Sequence, residues 1–142
     1  MAELKTYKDL DDEAARHILR TATTKAREIG SNMNIAVVGA DGHLKAFFRM
    51  DEAWMGSIDI AIRKAKTSRY FNLPTGEIGS LSQPGGPFYQ IEHCNDGLIT
   101  FPGGVPLKTK GGDVVGAIGV SGDVVEKDHE VAAAGAQYLL DN

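Results

Sequence analysis

The sequence holds one cysteine, Cys94. That excludes an internal disulfide and a zinc site built from several thiolates, and it agrees with a reducing compartment. Charge of one sign is also scarce. Fifteen Lys and Arg are interspersed with nineteen Asp and Glu, for a net charge of −4 at pH 7, which leaves no basic stripe for a phosphate backbone or an anionic bilayer. Neither nucleic acid nor membrane is an expected partner. No apolar run approaches the ~20 residues of a membrane-spanning helix, and Met1 to Lys5 lack the apolar core of a secretion signal, so a cytoplasmic location is expected. H-E-x-x-H, the P-loop, a G-x-G-x-x-G following a strand and G-x-S-x-G are all missing, which removes the commonest metalloprotease, nucleotide-binding and serine-hydrolase signatures. No repeat, linker or low-complexity stretch interrupts the chain, so residues 1–142 read as one domain.

What is present is periodicity. Leu10, Ala14, Ile18, Ala22, Ala26 and Ile29 recur at helical spacing, with Thr6 as the expected cap, Asp9 in the first turn and Gly30 as the stop. Asn34 to Ala40 is short and β-branched, and Asp41-Gly42 predicts a tight hairpin turn into a second strand, His43 to Met50. In that strand Leu44, Ala46, Phe48 and Met50 are expected to face the core, with Arg49 pointing away. Ser57 is the expected cap of a helix buried through Ile58, Ala61, Ile62 and Ala65, and Thr75 that of a short helix after Pro74. Leu98–Phe101, Val105–Lys108 and Val114–Ser121 read as strands. A last helix follows, with Asp123 and Glu126 in capping-box positions. Tight hairpins with packed helices predict an α+β fold on an antiparallel sheet of about five strands.

Several segments together carry a family resemblance: Ile35-Ala36-Val37-Val38 with Asp41-Gly42, Arg49-Met50-Asp51, Gly56-Ser57-Ile58, Ala61 with Lys64-Ala65, Pro102-Gly103-Gly104-Val105-Pro106, and Gly116 to Gly122. In this order and spacing, over roughly residues 6–140, the chain resembles the GlcG/HbpS (DUF336) family. The resemblance implies a profilin-like fold, assembly into homo-oligomers and, in some members, heme as a bound ligand held by a histidine of the N-terminal helix. His17 is the histidine on that helix here. Other members accompany glycolate- or diol-utilisation functions or form the C-terminal domain of a cobalamin adenosyltransferase type, so the resemblance leaves function open.

The residues themselves offer two further candidates. Gln83 to Gly97 is long for a connection and brings Tyr89, Glu92, His93, Cys94 and Asn95 together. In it His93 reads either as an acid/base or metal ligand, second to His17 for heme iron, or as an ordinary loop histidine, with Glu92 and Asn95 as ligand contacts. Gly103 and Gly104 read either as a turn that needs glycine or as free amides converging on an anion, and Arg49 as a carboxylate clamp or an interface pair. His17, at the edge of the apolar stripe, reads more readily as a boundary residue than as an iron ligand, while His43 and His129 read as solvated surface groups. Three functions stay open: a binding protein for heme or another small ligand; an enzyme or enzyme accessory acting on a small carboxylate or aromatic breakdown product through His93, Arg49 and the Gly103-Gly104 amides; and a structural assembly subunit.

Overall fold

The computed structural model describes residues 1–142. In chain order it comprises α1 (Asp12–Glu28), β1 (Asn34–Gly39), β2 (Leu44–Arg49), α2 (Gly56–Phe71), α3 (Thr75–Leu81), a 3₁₀ turn (Ile91–His93), β3 (Gly104–Lys108), β4 (Val114–Ser121) and α4 (Val125–Asp141). The strands form one antiparallel sheet of four, ordered β2-β1-β4-β3. The α+β expectation holds, with one strand fewer than expected. Leu98–Phe101 does not join the sheet because its backbone is engaged elsewhere: the Leu98 amide donates to the Glu92 carbonyl and the Ile99 amide to Thr67 Oγ1.

The alternation of strand side chains sorts the core into two layers. Ile35 and Val37 join Ile118, Val120 and Leu107 beneath α1 and α4, which contribute Ile18, Ala22, Val131 and Ala132. Ala36, Val38 and Ala117 face the other way and meet Ala61 and Ala65 of α2. That second layer is built almost wholly from small side chains, so α2 lies very close to the sheet.

The helix ends differ from the sequence expectation in an instructive way. α1 is capped by Asp11, whose side chain accepts from the Ala14 amide, and not by Thr6. Asp9 instead accepts from the Leu10 and Ala40 amides, pinning the N-terminal segment to the β1–β2 hairpin. The Ala40 hydrogen bond is the main reason its carboxyl titrates below the ordinary 3.8. Ser57, Thr75 and Asp123 cap nothing. Ser57 is the second residue of α2, Thr75 the first of α3, and Asp123 lies two before the start of α4; each hydroxyl or carboxylate bridges elements instead: Ser121 Oγ donates to Ser57 Oγ, Thr75 Oγ1 donates to the Phe101 carbonyl, and Ser31 Oγ donates to Asp123. On β2 the expected inward set divides. Met50 is buried and Ala46 packs on the core, but Leu44 and Phe48 stay 46% and 37% exposed because β2 is an edge strand.

The opposite edge, β3, is closed to further strand pairing. The Val120 amide donates to the Gly103 carbonyl, so alternate groups point outward from Gly104 on. There the Gly104 amide donates to Thr75 Oγ1 at 2.9 Å, and Pro106 has no amide hydrogen to offer.

Candidate functional site

The most polar buried feature is a lysine that composition and periodicity alone did not single out. Lys64, on the sheet-facing side of α2, has no exposed surface. Its Nζ donates to Asp128 Oδ2 of α4 and to the Val120 carbonyl of β4, both at 2.9 Å, and lies 4.9 Å from the centre of the Phe101 ring. Asp128 is 2% exposed and also accepts from the Asp123 amide. Burial pushes the Lys64 ammonium down and the Asp128 carboxyl up from their ordinary ranges, and their mutual contact opposes both shifts. The pair crosses from one face of the sheet to the other and sits directly under Gly103, where an added Cβ would stand 2.5 Å from Lys64 Nζ. Gly103 has φ +130, so it is glycine for two reasons, backbone and space. The signal was present in the sequence: Lys64 falls on the apolar stripe of Ala61 and Ala65, and Asp128 precedes Val131 by one turn.

The neighbouring Arg63 faces the other side of α2 and holds the long loop. Its Nε donates to Asp59, and its Nη1 donates to the carbonyls of Asp96 and Gly97. Asn95, Asp96 and Gly97 all have positive φ, three consecutive residues in a conformation that only glycine adopts freely. The guanidinium stabilises that turn by collecting its carbonyls. A cavity of about 260 Å³ results, walled by Arg63, Lys66, Thr67, Tyr70, Asn95 and Asp96.

Of the expected site residues, only Asn95 reaches this cavity. His93 is exposed at the end of the 3₁₀ turn, and its ring makes no hydrogen bond. Glu92 is half-buried and accepts from Thr100 Oγ1 at 3.0 Å, a contact that ties the loop to its own exit. Gly103 and Gly104 are buried, and the Gly104 amide is occupied by Thr75, so no anion cradle forms there. Arg49 is exposed on β2, while Gly104 opens β3. The two strands are opposite edges of the sheet with β1 and β4 between them, about 14 Å apart at ordinary strand spacing. The composite site of His93, Asn95, Arg49 and the glycine amides is therefore dispersed, because the Gln83–Gly97 loop folds over α2 and not over the β3 turn.

His17 lies at the edge of α1's buried stripe, as its spacing predicts. Its ring stacks on Tyr138 of α4, centroids 5.4 Å apart and planes within 10°, and its Nε2 is 3.9 Å from Glu13; 42% of the side chain is exposed.

The chain matches the model of the family described as "Haem degrading protein HbpS-like" over residues 10–137. It belongs to that family. Among curated proteins it is 36% identical to an uncharacterized 15.0 kDa protein from the dhaT-dhaS intergenic region of Citrobacter freundii, the alignment covering 84% of each chain. Among solved structures, Klebsiella pneumoniae ORFY, a DUF336 protein, superposes with a TM-score of 0.92 at 33% identity, covering 96% of this chain and 94% of that one. A PduOC:heme complex superposes at 0.86 and 28%, covering 92% and 94%. The four segments discussed above, Lys64-Ala65, the Pro102-Gly103-Gly104 turn, the glycine-bearing β4 and the Asp41-Gly42 hairpin, lie inside the HbpS-like match. In this HbpS-like chain, three of them meet around the buried Lys64: the lysine itself, the glycine turn above it and the β4 carbonyl it bonds. No helix is long and apolar enough to cross a membrane.

Proposed function

We propose that this HbpS-like protein binds a small ligand and that heme, or a related tetrapyrrole, is that ligand, with His17 supplying an axial nitrogen. The observation that carries the reading is the state of His17. Its imidazole is oriented by stacking on Tyr138 and left partly open, where a buried, hydrogen-bonded histidine would be closed to iron. The superposition on a heme complex over nearly the whole chain supports the ligand class, and membership of the HbpS-like family supports a profilin-like reading of the α+β fold. His93, exposed and unbonded, is the second candidate ligand. Titration of the protein with hemin is expected to give a shifted Soret band that is lost or displaced in His17→Ala and retained in His93→Ala. A Soret shift that survives both substitutions removes these residues from the reading. The enzyme alternative loses its assembled machinery, since His93, Arg49 and Gly104 do not share a site.

The family membership also supports a homo-oligomer. Trp54 and Met55, 63% and 79% exposed ahead of α2, with Leu44 and Phe48 on the free β2 edge, leave apolar surface that a monomer would keep in water. Light scattering at micromolar concentration is expected to give a mass that is a multiple of 15.2 kDa; the monomer mass overturns this.

A further inference from the structure

We propose that the groove between α3, β3 and α4 is a second binding site, for an amphipathic primary ammonium ligand whose cationic head lies between Glu77 and Glu126 and whose apolar chain runs along Pro106 to Leu140. Two adjoining hollows, of about 440 and 430 Å³, share Pro74, Glu77 and His129 as a common wall. Together they are of ordinary size for a small-molecule site. The hollow nearer the Pro102 turn carries the carboxylates of Glu77 and Glu126, flanked by Pro74 and Pro102. Neither carboxylate takes part in any of the molecule's ion pairs or side-chain hydrogen bonds, although other exposed acids such as Asp12, Asp59 and Asp113 have basic partners within 4 Å.

The second hollow is richer in aliphatic side chains. Val105, Pro106, Ala133, Ala136 and Leu140 wall it, and its one cation, Lys108, stands four residues along β3 from Gly104, about 13 Å at strand rise. Unpaired negative charge at one end and apolar wall beyond it select a ligand with one cationic end and an apolar body. A second cation at the far end would meet Lys108. His129 stands where the two hollows join. The groove does not suit the alternatives. No set of three His, Cys, Asp or Glu side chains is placed to hold a metal ion, and the β3 edge rejects an added strand because Thr75 occupies the Gly104 amide and Pro106 has none.

The test is a titration of the protein with n-octylamine, octanoate and 1,8-diaminooctane, followed by the NMR signals of the His129 ring and the Ala133 and Ala136 methyl groups. Octylamine is expected to shift these signals saturably and to bind at least tenfold more tightly than octanoate, with the diamine weaker than octylamine; Glu77→Gln with Glu126→Gln is expected to weaken octylamine about tenfold or more. Both residues are exposed and make no ion pair or side-chain hydrogen bond, and each carries a charge in the first turn of its helix, so the double variant is expected to fold as the parent does with a small loss of stability. Equal binding of octanoate overturns the proposal, as does octylamine binding that the double variant leaves unchanged. Shifts of the same signals with protein concentration alone, without amine, assign the groove to a second copy of the chain and overturn it too.

Discussion

Asp128→Asn is expected to destabilise the protein by about 3–5 kcal/mol, the usual result of removing one partner of a buried ion pair. The reason is specific to this site. Asparagine keeps an oxygen for the Asp123 amide, so what is lost is the charge opposite Lys64, whose Nζ then retains only the Val120 carbonyl and the face of Phe101. A fully buried ammonium with no counter-charge has one escape, which is to lose its proton. Burial already holds the Lys64 pKa below its ordinary 10.5, and removing Asp128 takes away the contact that opposes that shift. The folded variant then binds fewer protons than the unfolded chain between the lowered pKa and 10.5. Stability must therefore rise with pH across that window, by up to about 1.4 kcal/mol per pH unit. Urea denaturation at several pH values between 6 and 10 measures this as a moving midpoint at constant slope. Lys64→Met combined with Asp128→Asn removes both charges, should recover most of the loss and should be flat in the same pH range. If Asp128→Asn alone costs less than about 1 kcal/mol, water reaches Lys64 and the pair is not the lock between α2 and α4 that its geometry implies.

The elements of this fold were legible in the sequence wherever periodicity was long and punctuation was strong. α1, the Asp41-Gly42 hairpin, β4 and α4 each satisfy a local pattern that nothing in the tertiary structure opposes. Most of the failures have one cause. Thr6, Ser57, Thr75 and Asp123 all have the right chemistry to cap a helix, but in three of them the polar group makes a longer-range bond, and such bonds leave no trace in local sequence. The fifth strand failed in the same way, since Leu98 and Ile99 direct their amides to Glu92 and Thr67. The candidate site was less legible still. Residue types suited to chemistry were visible in His93, Asn95, Arg49 and the glycine turn, but their convergence depended on where a fifteen-residue loop would fold. Arg63 decides that by drawing the Asp96 and Gly97 carbonyls over α2. His129, which reads as a solvated histidine, is solvated indeed, yet stands on the wall of the groove between α3, β3 and α4.

Gly119→Ala is the other substitution expected to have a large effect, about 3 kcal/mol or more, although it adds a single methyl group. Gly119 sits near the end of β4 on the face covered by α2, paired with Ala36 on one side and Gly104 on the other. A Cβ there would overlap the Ala61 carbonyl oxygen and the Ala65 amide, both helix backbone, which no rotamer change can move aside. The only relief is to lift α2 from the sheet, and the small side chains of that layer, Ala36, Ala61, Ala65 and Ala117, would then lose the contacts that close approach gives them. α2 also carries Lys64 and Arg63, so lifting it strains the Asp128 and Val120 bonds beneath the Gly103 turn and loosens the grip on the Asp96-Gly97 carbonyls. The effect should therefore reach beyond stability: amide exchange at residues 95–98 is expected to quicken in Gly119→Ala relative to the parent under native conditions. Gly56→Ala is the control. It lies at the start of the same helix with nothing within 4 Å of the new Cβ and without a positive φ, so it should leave stability unchanged or raise it by a few tenths of a kcal/mol. Similar urea midpoints for Gly119→Ala and Gly56→Ala would mean that α2 can ride outward without loss, and that the close packing of helix on sheet does not fix the positions of Lys64 and Arg63.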